Sequence, residues 1–219
     1  MNLYSFQPVV AAVAAWVVCL SPQTSAANLS LYEGDGMFLT GAPAGFAFGG
    51  FSGNVTETIS SLTIDASSFG GIGRDLTQTD FDASEYQLRI VYRLLPGNEA
   101  EDFRVVLRDN DGDDSAPGQG TEDHQIFIDT SFATPLNDGS GFSEQFSPLN
   151  SVFTDKSFGF TNGGDGALNP GLDQWQLQSA FGGTDRLHLE VRSVELVPEP
   201  GSAALLGAGL TAFVLRRRP

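Results

Sequence analysis

The stretch YQLRIVYRL, which runs from Tyr86 to Leu94, decides the fold class. Large apolar residues occupy every even-numbered position of these nine residues. The odd-numbered positions are Gln87, Arg89, Val91 and Arg93. Because successive side chains of a β-strand point to opposite faces, this period of two predicts a strand with one face in a hydrophobic core.

A second alternating segment, FRVVLR at residues 103–108, follows shortly after. Its apolar parity comprises Phe103, Val105 and Leu107. Between the two segments lies Pro96-Gly97-Asn98, three residues that favour a turn. We therefore predict that the two segments form a hairpin with a common apolar face.

The opposite face of this hairpin would collect four arginines, Arg89, Arg93, Arg104 and Arg108. Such a face suits a site for an acidic or hydroxyl-rich polymer. The alternative is cross-strand pairing with Asp and Glu on neighbouring strands, which uses the same charges for stability.

Two later strands extend the polar face. Trp175 and Leu177 alternate with glutamines, and residues 186–192 alternate Leu and Val with polar residues. We predict a ligand-binding face made of Arg89, Arg93, Arg104, Arg108, Gln176 and His188. The predicted face lacks an exposed aromatic ring on which a sugar could stack, because Trp175 has the core parity.

Short alternating segments separated by turn residues continue along the chain. The glycine-rich residues 70–73 are interpreted as a turn, and the alternation shifts phase near Ser193, which predicts a β-bulge. About nine or ten strands with regular turn signals are typical of a sandwich. We predict an all-β fold, a single antiparallel β-sandwich of the jelly-roll type, over residues 28–196.

An acidic segment after the predicted hairpin has the composition of a calcium loop. Its candidate ligands are Asp109, Asp111, Asp113 and Asp114, with Gly112 to permit a tight turn. Ca²⁺ prefers several hard oxygens around one centre. The segment is not an EF-hand, because Gly120 stands where the twelfth-position Glu is needed. A structural Ca²⁺ ion is the one cofactor expected, and a solvated acidic turn is the alternative.

Composition limits the possible partners. The chain has a formal net charge of −16, which argues against binding to nucleic acid or to anionic membrane surfaces. Its one cysteine, Cys19, lies in an apolar run near the start. The following domain therefore depends on its core rather than on a disulfide, and the calcium ion expected above would add to its stability.

The first 27 residues have the features of a signal peptide. Residues 9–20 form a twelve-residue apolar run, Pro22 ends it, and Ser25-Ala26-Ala27 offers small residues for cleavage. The run is too short to span a bilayer. We therefore predict a signal peptide at residues 1–27 and an exported protein.

The last 23 residues combine three features in a fixed order. Pro198-Glu199-Pro200 is followed by an apolar run, residues 202–215, and by Arg216, Arg217 and Arg218. The thirteen residues 203–215 would span roughly 20 Å as a helix, short of the ~30 Å hydrocarbon core, and the arginines favour the cytoplasmic side. An uncleaved membrane anchor is the alternative to a temporary one.

These three features resemble the PEP-CTERM sorting signal. The resemblance implies that residues 197–219 insert transiently in the inner membrane, and that a membrane-embedded exosortase recognises the motif and removes the tail during export. It implies exosortase and export machinery as partners. The processed protein would lie at the cell surface or in the extracellular matrix.

The order of strands resembles galactose-binding-like and carbohydrate-binding jelly-roll modules. This resemblance implies a structural metal ion and a sugar site. Catalysis is not expected, because the chain has two histidines, His124 and His188, and no Gly-x-Ser-x-Gly motif. We predict a non-catalytic exported protein that binds exopolysaccharide; a purely structural surface protein and a glycan-active hydrolase are the alternatives.

Overall fold

The computed structural model of the protein describes residues 27–76, 86–110, 121–149, 153–154, 168, 171–180 and 184–199. The predicted signal peptide up to residue 26, the tail from residue 200 and the predicted calcium ligands Asp111, Asp113 and Asp114 lie outside these residues. None of the helices in the described ranges is long and apolar enough to cross a membrane.

The described chain is built almost entirely of β-strands. They are β1 (Leu29–Tyr32), β2 (Phe46–Gly49), β3 (Val55–Glu57), β4 (Leu62–Ala66), β5 (Gly70–Asp75), β6 (Tyr86–Leu94), β7 (Asp102–Asn110), β8 (Thr121–Asp129), β9 (Thr134–Pro135), β10 (Ser143–Pro148), β11 (Phe153–Thr154), β12 (Leu172–Ser179) and β13 (Leu187–Pro198). A 3₁₀ turn, Thr130–Phe132, follows β8.

The strands form two antiparallel sheets. Sheet A has the order β3-β4-β13-β6-β10-β9, with β1 on β13, and sheet B has the order β11-β8-β7-β12-β5-β2. Four nested pairs, β4–β13, β5–β12, β6–β10 and β7–β8, account for the eight main strands. This nesting is the jelly-roll arrangement, so the predicted antiparallel β-sandwich is confirmed.

The predicted hairpin between residues 86–94 and 103–108 is wrong. Strand β6 pairs with β10 and β13 in sheet A, whereas β7 pairs with β8 and β12 in sheet B. In a jelly roll the chain crosses between sheets at this point, and the turn after β6 begins that crossing. Each strand still has one face in the core, because alternation within a strand does not depend on its neighbours.

The glycine-rich residues 70–73 form part of strand β5 rather than a turn. Their neighbours explain the strand: β5 lies between β2 and β12, and Ile72 points into the core. Gly71 and Gly73 face outward, where side chains from the adjacent strands lie over them. The missing side chains of the glycines are thus replaced by those of other strands.

One hydrophobic core fills the space between the sheets. Tyr92 of sheet A meets Phe103 of sheet B edge to face, with ring centroids 5.2 Å apart. Trp175 is 0% exposed, which confirms its predicted core position. The predicted bulge is confirmed as well, because the register of β13 against β6 shifts between Val191 and Ser193, leaving Ser193 and Val194 both buried.

Candidate functional site

The predicted ligand-binding residues do not share one face. Crossing of the chain between β6 and β7 divides them between the two outer surfaces of the sandwich. Sheet A carries Arg89, Arg93 and His188, and sheet B carries Arg104, Arg108 and Gln176. The prediction that the four arginines lie on one face is therefore wrong.

On the outer face of sheet A, the arginines pair with carboxylates of adjacent strands. Arg89 lies 3.1 Å from Glu144 and 3.2 Å from Glu195, and the Nε of Arg93 donates to Glu190 at 2.6 Å. Cross-strand pairing, the alternative considered from the sequence, describes these two arginines. His188 places Nδ1 2.9 Å from the carbonyl oxygen of Pro96 in the turn after β6.

On the outer face of sheet B, three glutamines of β12 form a ladder. The amide of Gln178 donates to Gln176 at 2.6 Å, Gln176 donates to Gln174, and Gln174 donates to Asp75 at 2.6 Å. The side chains stand on one face because they occupy alternate positions of a strand. Each amide has two N–H donors and an oxygen that can accept two hydrogen bonds. The bonds within the ladder therefore use only part of the hydrogen-bonding capacity of the glutamines.

Arginines of β7 extend this polar surface toward β8. Arg108 makes a two-pronged contact with Asp123, with Nε 2.7 Å and Nη2 3.2 Å from the carboxylate oxygens. Arg104 donates to Gln125 at 2.6 Å and lies over the ring of Phe127 at 4.7 Å. The charge of Arg108 is therefore balanced within the sheet.

Three phenylalanines border the glutamine ladder on its other side. Phe46 and Phe48 of β2 have ring centroids 6.3 Å apart, and Phe69 lies 6.2 Å from Phe48. The outer rings of β2 lie over Gly73 and Gly71, where an added Cβ would come within 2.8 Å of Phe46 and 2.6 Å of Phe48. All three phenylalanines are partly exposed.

Together these residues line a groove of about 350 Å³ on sheet B. Its lining is Phe46, Phe48, Phe69, Arg108, Asp123, Gln125, Gln174, Gln176 and Gln178. The groove combines flat apolar rings with amide, guanidinium and carboxylate groups. Such a combination can cover the apolar face of a sugar ring and hydrogen-bond its hydroxyls.

The aromatic part of this site was missed from the sequence. The expectation of a face without an aromatic ring considered only Trp175, which is in the core. Phe46 and Phe48 flank Ala47 at alternate positions, and Gly71 and Gly73 flank Ile72 in the same way. The outward aromatic rings of β2 fill the space that the outward glycines of β5 leave open. The sequence does not show that these two strands are adjacent.

Of the predicted calcium ligands, only Asp109 is described. It lies at the end of β7, 0% exposed, with Oδ2 3.1 Å from Nε2 of His124, which is 1% exposed. Within the described ranges, no group of three or more His, Cys, Asp and Glu side chains could hold a metal ion. Asp109 could contribute one oxygen to a calcium site completed by residues 111–114, so that site stays a prediction.

Comparisons with known proteins concern the tail and the fold separately. The PEP-CTERM protein-sorting motif matches residues 196–218. No curated protein sequence matches the chain.

Solved structures of carbohydrate-binding modules are similar to this chain in fold. A family 30 carbohydrate-binding module has a TM-score of 0.53 at 11% identity, over 80% of this chain and 100% of that one. A second structure of a family 30 module has a TM-score of 0.53 at 12% identity, over 80% and 89%. The family 30 module of a cellulosomal cellulase of Clostridium thermocellum has a TM-score of 0.50 at 13% identity, over 80% and 100%.

At these identities the likeness shows the fold alone, a β-sandwich of the kind found in carbohydrate-binding modules. The C-terminal motif shows, independently of the fold, how the protein is sorted. The chain carries a PEP-CTERM sorting signal and is an exported protein processed at its C-terminus.

Proposed function

We propose that this protein is a non-catalytic component of the cell surface or extracellular matrix that binds polysaccharide in the groove on sheet B. The observation that carries the proposal is the row of three phenylalanines beside the glutamine ladder. Exosortase would remove the tail that anchors the precursor in the inner membrane, and exopolysaccharide is the expected ligand. The carbohydrate-binding modules with a similar fold support this class of ligand.

The dimensions of the aromatic row suit an extended ligand. The centroid of the Phe48 ring lies 6.3 Å from that of Phe46 and 6.2 Å from that of Phe69, and all three rings line one groove. A polymer chain can contact several rings at once, whereas a monosaccharide contacts one. Weak individual contacts then add along the chain, which is why a polysaccharide fits this groove better than a free sugar.

Affinity electrophoresis of the purified exported protein in gels containing different polysaccharides tests the proposal. The decisive variant is Phe48→Ala, because this ring lies between Phe46 and Phe69. Loss of a stacking contact is worth about 0.5–1.5 kcal/mol, so we expect about two- to tenfold weaker retention by a polysaccharide that retards the wild type.

Phe146→Ala is the matched control, because Phe146 is a 45% exposed phenylalanine on the opposite outer face. It should leave retention unchanged. Equal losses in both variants would contradict a site on sheet B. Absence of retention on a broad panel would favour the purely structural alternative, and release of shorter sugars would favour the hydrolase.

A further inference from the structure

The two ends of the described chain meet at one end of sheet A. Strand β1 runs antiparallel to the end of β13, with Leu29 opposite Leu196. Tyr86 joins the two ends, because its backbone pairs with Pro198 and its hydroxyl donates to the carbonyl oxygen of Ala27 at 3.4 Å. The sorting motif therefore starts inside the folded sheet, beside the first described residue.

The last residues of β13 already have strand partners. Leu196 lies between Leu88 of β6 and Leu29 of β1, so both of its edges are occupied. Val197 lies opposite Gln87, and Pro198, the first residue of the motif, lies opposite Tyr86. An enzyme that binds its substrate as an added strand needs these backbone groups for itself.

Little chain remains between the sheet and the apolar tail. Strand β13 ends at Pro198, and the apolar run begins at residue 202. The three intervening residues, Glu199, Pro200 and Gly201, span about 10 Å when fully extended. That length is about the spacing between two packed sheets, so a processing enzyme at the motif would meet the folded domain.

We propose that unpairing of the end of β13 controls C-terminal processing of this protein. The processing enzyme binds the chain from Pro198 onward, and in the native sequence Pro198 becomes available only after Val197 and Pro198 leave β6. Both are partly exposed in the folded state, so their release uncovers little apolar surface. Leu196 is 0% exposed. We expect the unpairing of β13 to stop before this residue, because its departure would open the core.

A disulfide that holds the strand end in place tests the proposal in the full-length precursor. Gln87→Cys/Val197→Cys joins directly opposite residues of an antiparallel pair, whose Cα separation of about 4.5–5.5 Å suits a disulfide. The only native cysteine is Cys19, in the predicted signal peptide. Expressed in a host with the processing system, this variant should accumulate as unprocessed precursor, with several-fold slower processing in a pulse-chase experiment with intact-mass detection.

The control is Thr56→Cys/Thr63→Cys, which joins opposite residues of β3 and β4 in the same sheet and leaves β13 unchanged. It should be processed at the wild-type rate, and reduction should restore processing of the β13 variant. Normal processing of the oxidised β13 variant would overturn the proposal. So would equal inhibition by the control disulfide.

A second variant does not depend on disulfide formation. Insertion of Gly-Ser-Gly-Ser-Gly between Val197 and Pro198 keeps the motif intact and moves it away from the sheet. We expect this precursor to be processed faster than wild type, and the same insertion to rescue the disulfide variant without reductant. An unchanged processing rate in the insertion variant would overturn the proposal.

Discussion

Gly71 and Gly73 form the floor of the aromatic row, yet the two glycines are constrained differently. At Gly71, the nearest atoms to an added Cβ belong to side chains, with the Phe48 ring at 2.6 Å and Gln178 at 3.0 Å. At Gly73, the nearest is the backbone carbonyl oxygen of Trp175, also at 2.6 Å. A side chain can rotate away from a new methyl group, whereas the backbone of a central strand cannot.

Substitution of each glycine by alanine should therefore have different effects. We expect Gly73→Ala to lower the free energy of unfolding by about 1–3 kcal/mol, the usual cost of overpacking. Gly71→Ala should cost less stability but displace Phe48 and weaken polysaccharide retention. Urea unfolding and affinity electrophoresis measure the two effects. In a Phe48→Ala background only the 3.0 Å contact with Gln178 remains, so Gly71→Ala should change both quantities less than it does in the wild type, and an equal loss would contradict this explanation.

The contribution of Asp138 to the stability of the fold should depend on pH. Hydrogen bonds from Ser140, and then from Arg192, lower the pKa of its carboxyl group from 3.8 to about 2. Because the folded-state pKa lies below the unfolded one, its contribution to stability is present above about pH 4 and disappears as the pH falls toward 2.

The comparison of wild type with Asp138→Asn isolates this contribution. The difference between their melting temperatures should be constant from pH 7 to about pH 4 and should shrink as the pH falls through about 2. Thermal unfolding followed by circular dichroism at several pH values measures it. A difference that grows on acidification would have the opposite sign and exclude this assignment.

Strand β13 is the element on which the sandwich depends most. It occupies the middle of sheet A, pairs with β4, β6 and β1, and contributes buried residues from Leu187 to Leu196. Its bulge between Val191 and Ser193 changes which parity faces the core, so the strand remains buried on both sides of the irregularity. The sorting motif is thus attached directly to a central strand rather than to a linker.

Truncations at and after the end of β13 test which of its residues the folded domain needs. A chain that ends at Glu199 keeps all of β13, and we expect its melting temperature to match that of the exported protein. A chain that ends at Ser193 loses Val194 and Leu196, which are both buried. Their removal should cost at least about 3 kcal/mol, measured by urea unfolding. Equal stability of the two truncations would show that the end of β13 is dispensable.

Across the whole molecule, the two outer surfaces have different characters. On sheet A, Arg89 and Arg93 are paired with carboxylates of neighbouring strands. On sheet B, the phenylalanine row and the glutamine ladder line the groove. The jelly-roll topology produces this division, because consecutive strands β6 and β7 belong to different sheets. Polysaccharide binding is therefore expected on one side of the sandwich.

We propose that residues 109–114 form a calcium loop that stabilises the whole molecule. If Asp109 and residues 111–114 hold Ca²⁺, a chelator should lower the melting temperature, and added Ca²⁺ should restore it, because a ligand that binds only the folded state stabilises it. Asp111→Asn/Asp113→Asn should melt at the chelator-treated temperature and show no response to Ca²⁺. A melting temperature that is unchanged by chelator in the wild type would reject the site.

Local features of the chain were sufficient for the fold class and for several details. Alternation in residues 86–94 and 103–108 located two strands, the parity of Trp175 placed it in the core, and the phase shift near Ser193 located a bulge. The sorting signal was also recognised from contiguous residues. Each of these properties depends on neighbours within a few positions, which a sequence displays directly.

Only the tertiary structure decided which strands lie side by side, and with that the candidate site. Residues 70–73 resembled a turn because the rings that cover Gly71 and Gly73 come from β2, more than twenty positions earlier. The arginines of β6 and β7 were assigned to one face because a turn follows β6, although the chain there crosses between sheets. The period of two specifies which side chains of a strand point inward, but not the sheet to which the strand belongs, because pairing is determined by contacts between distant segments.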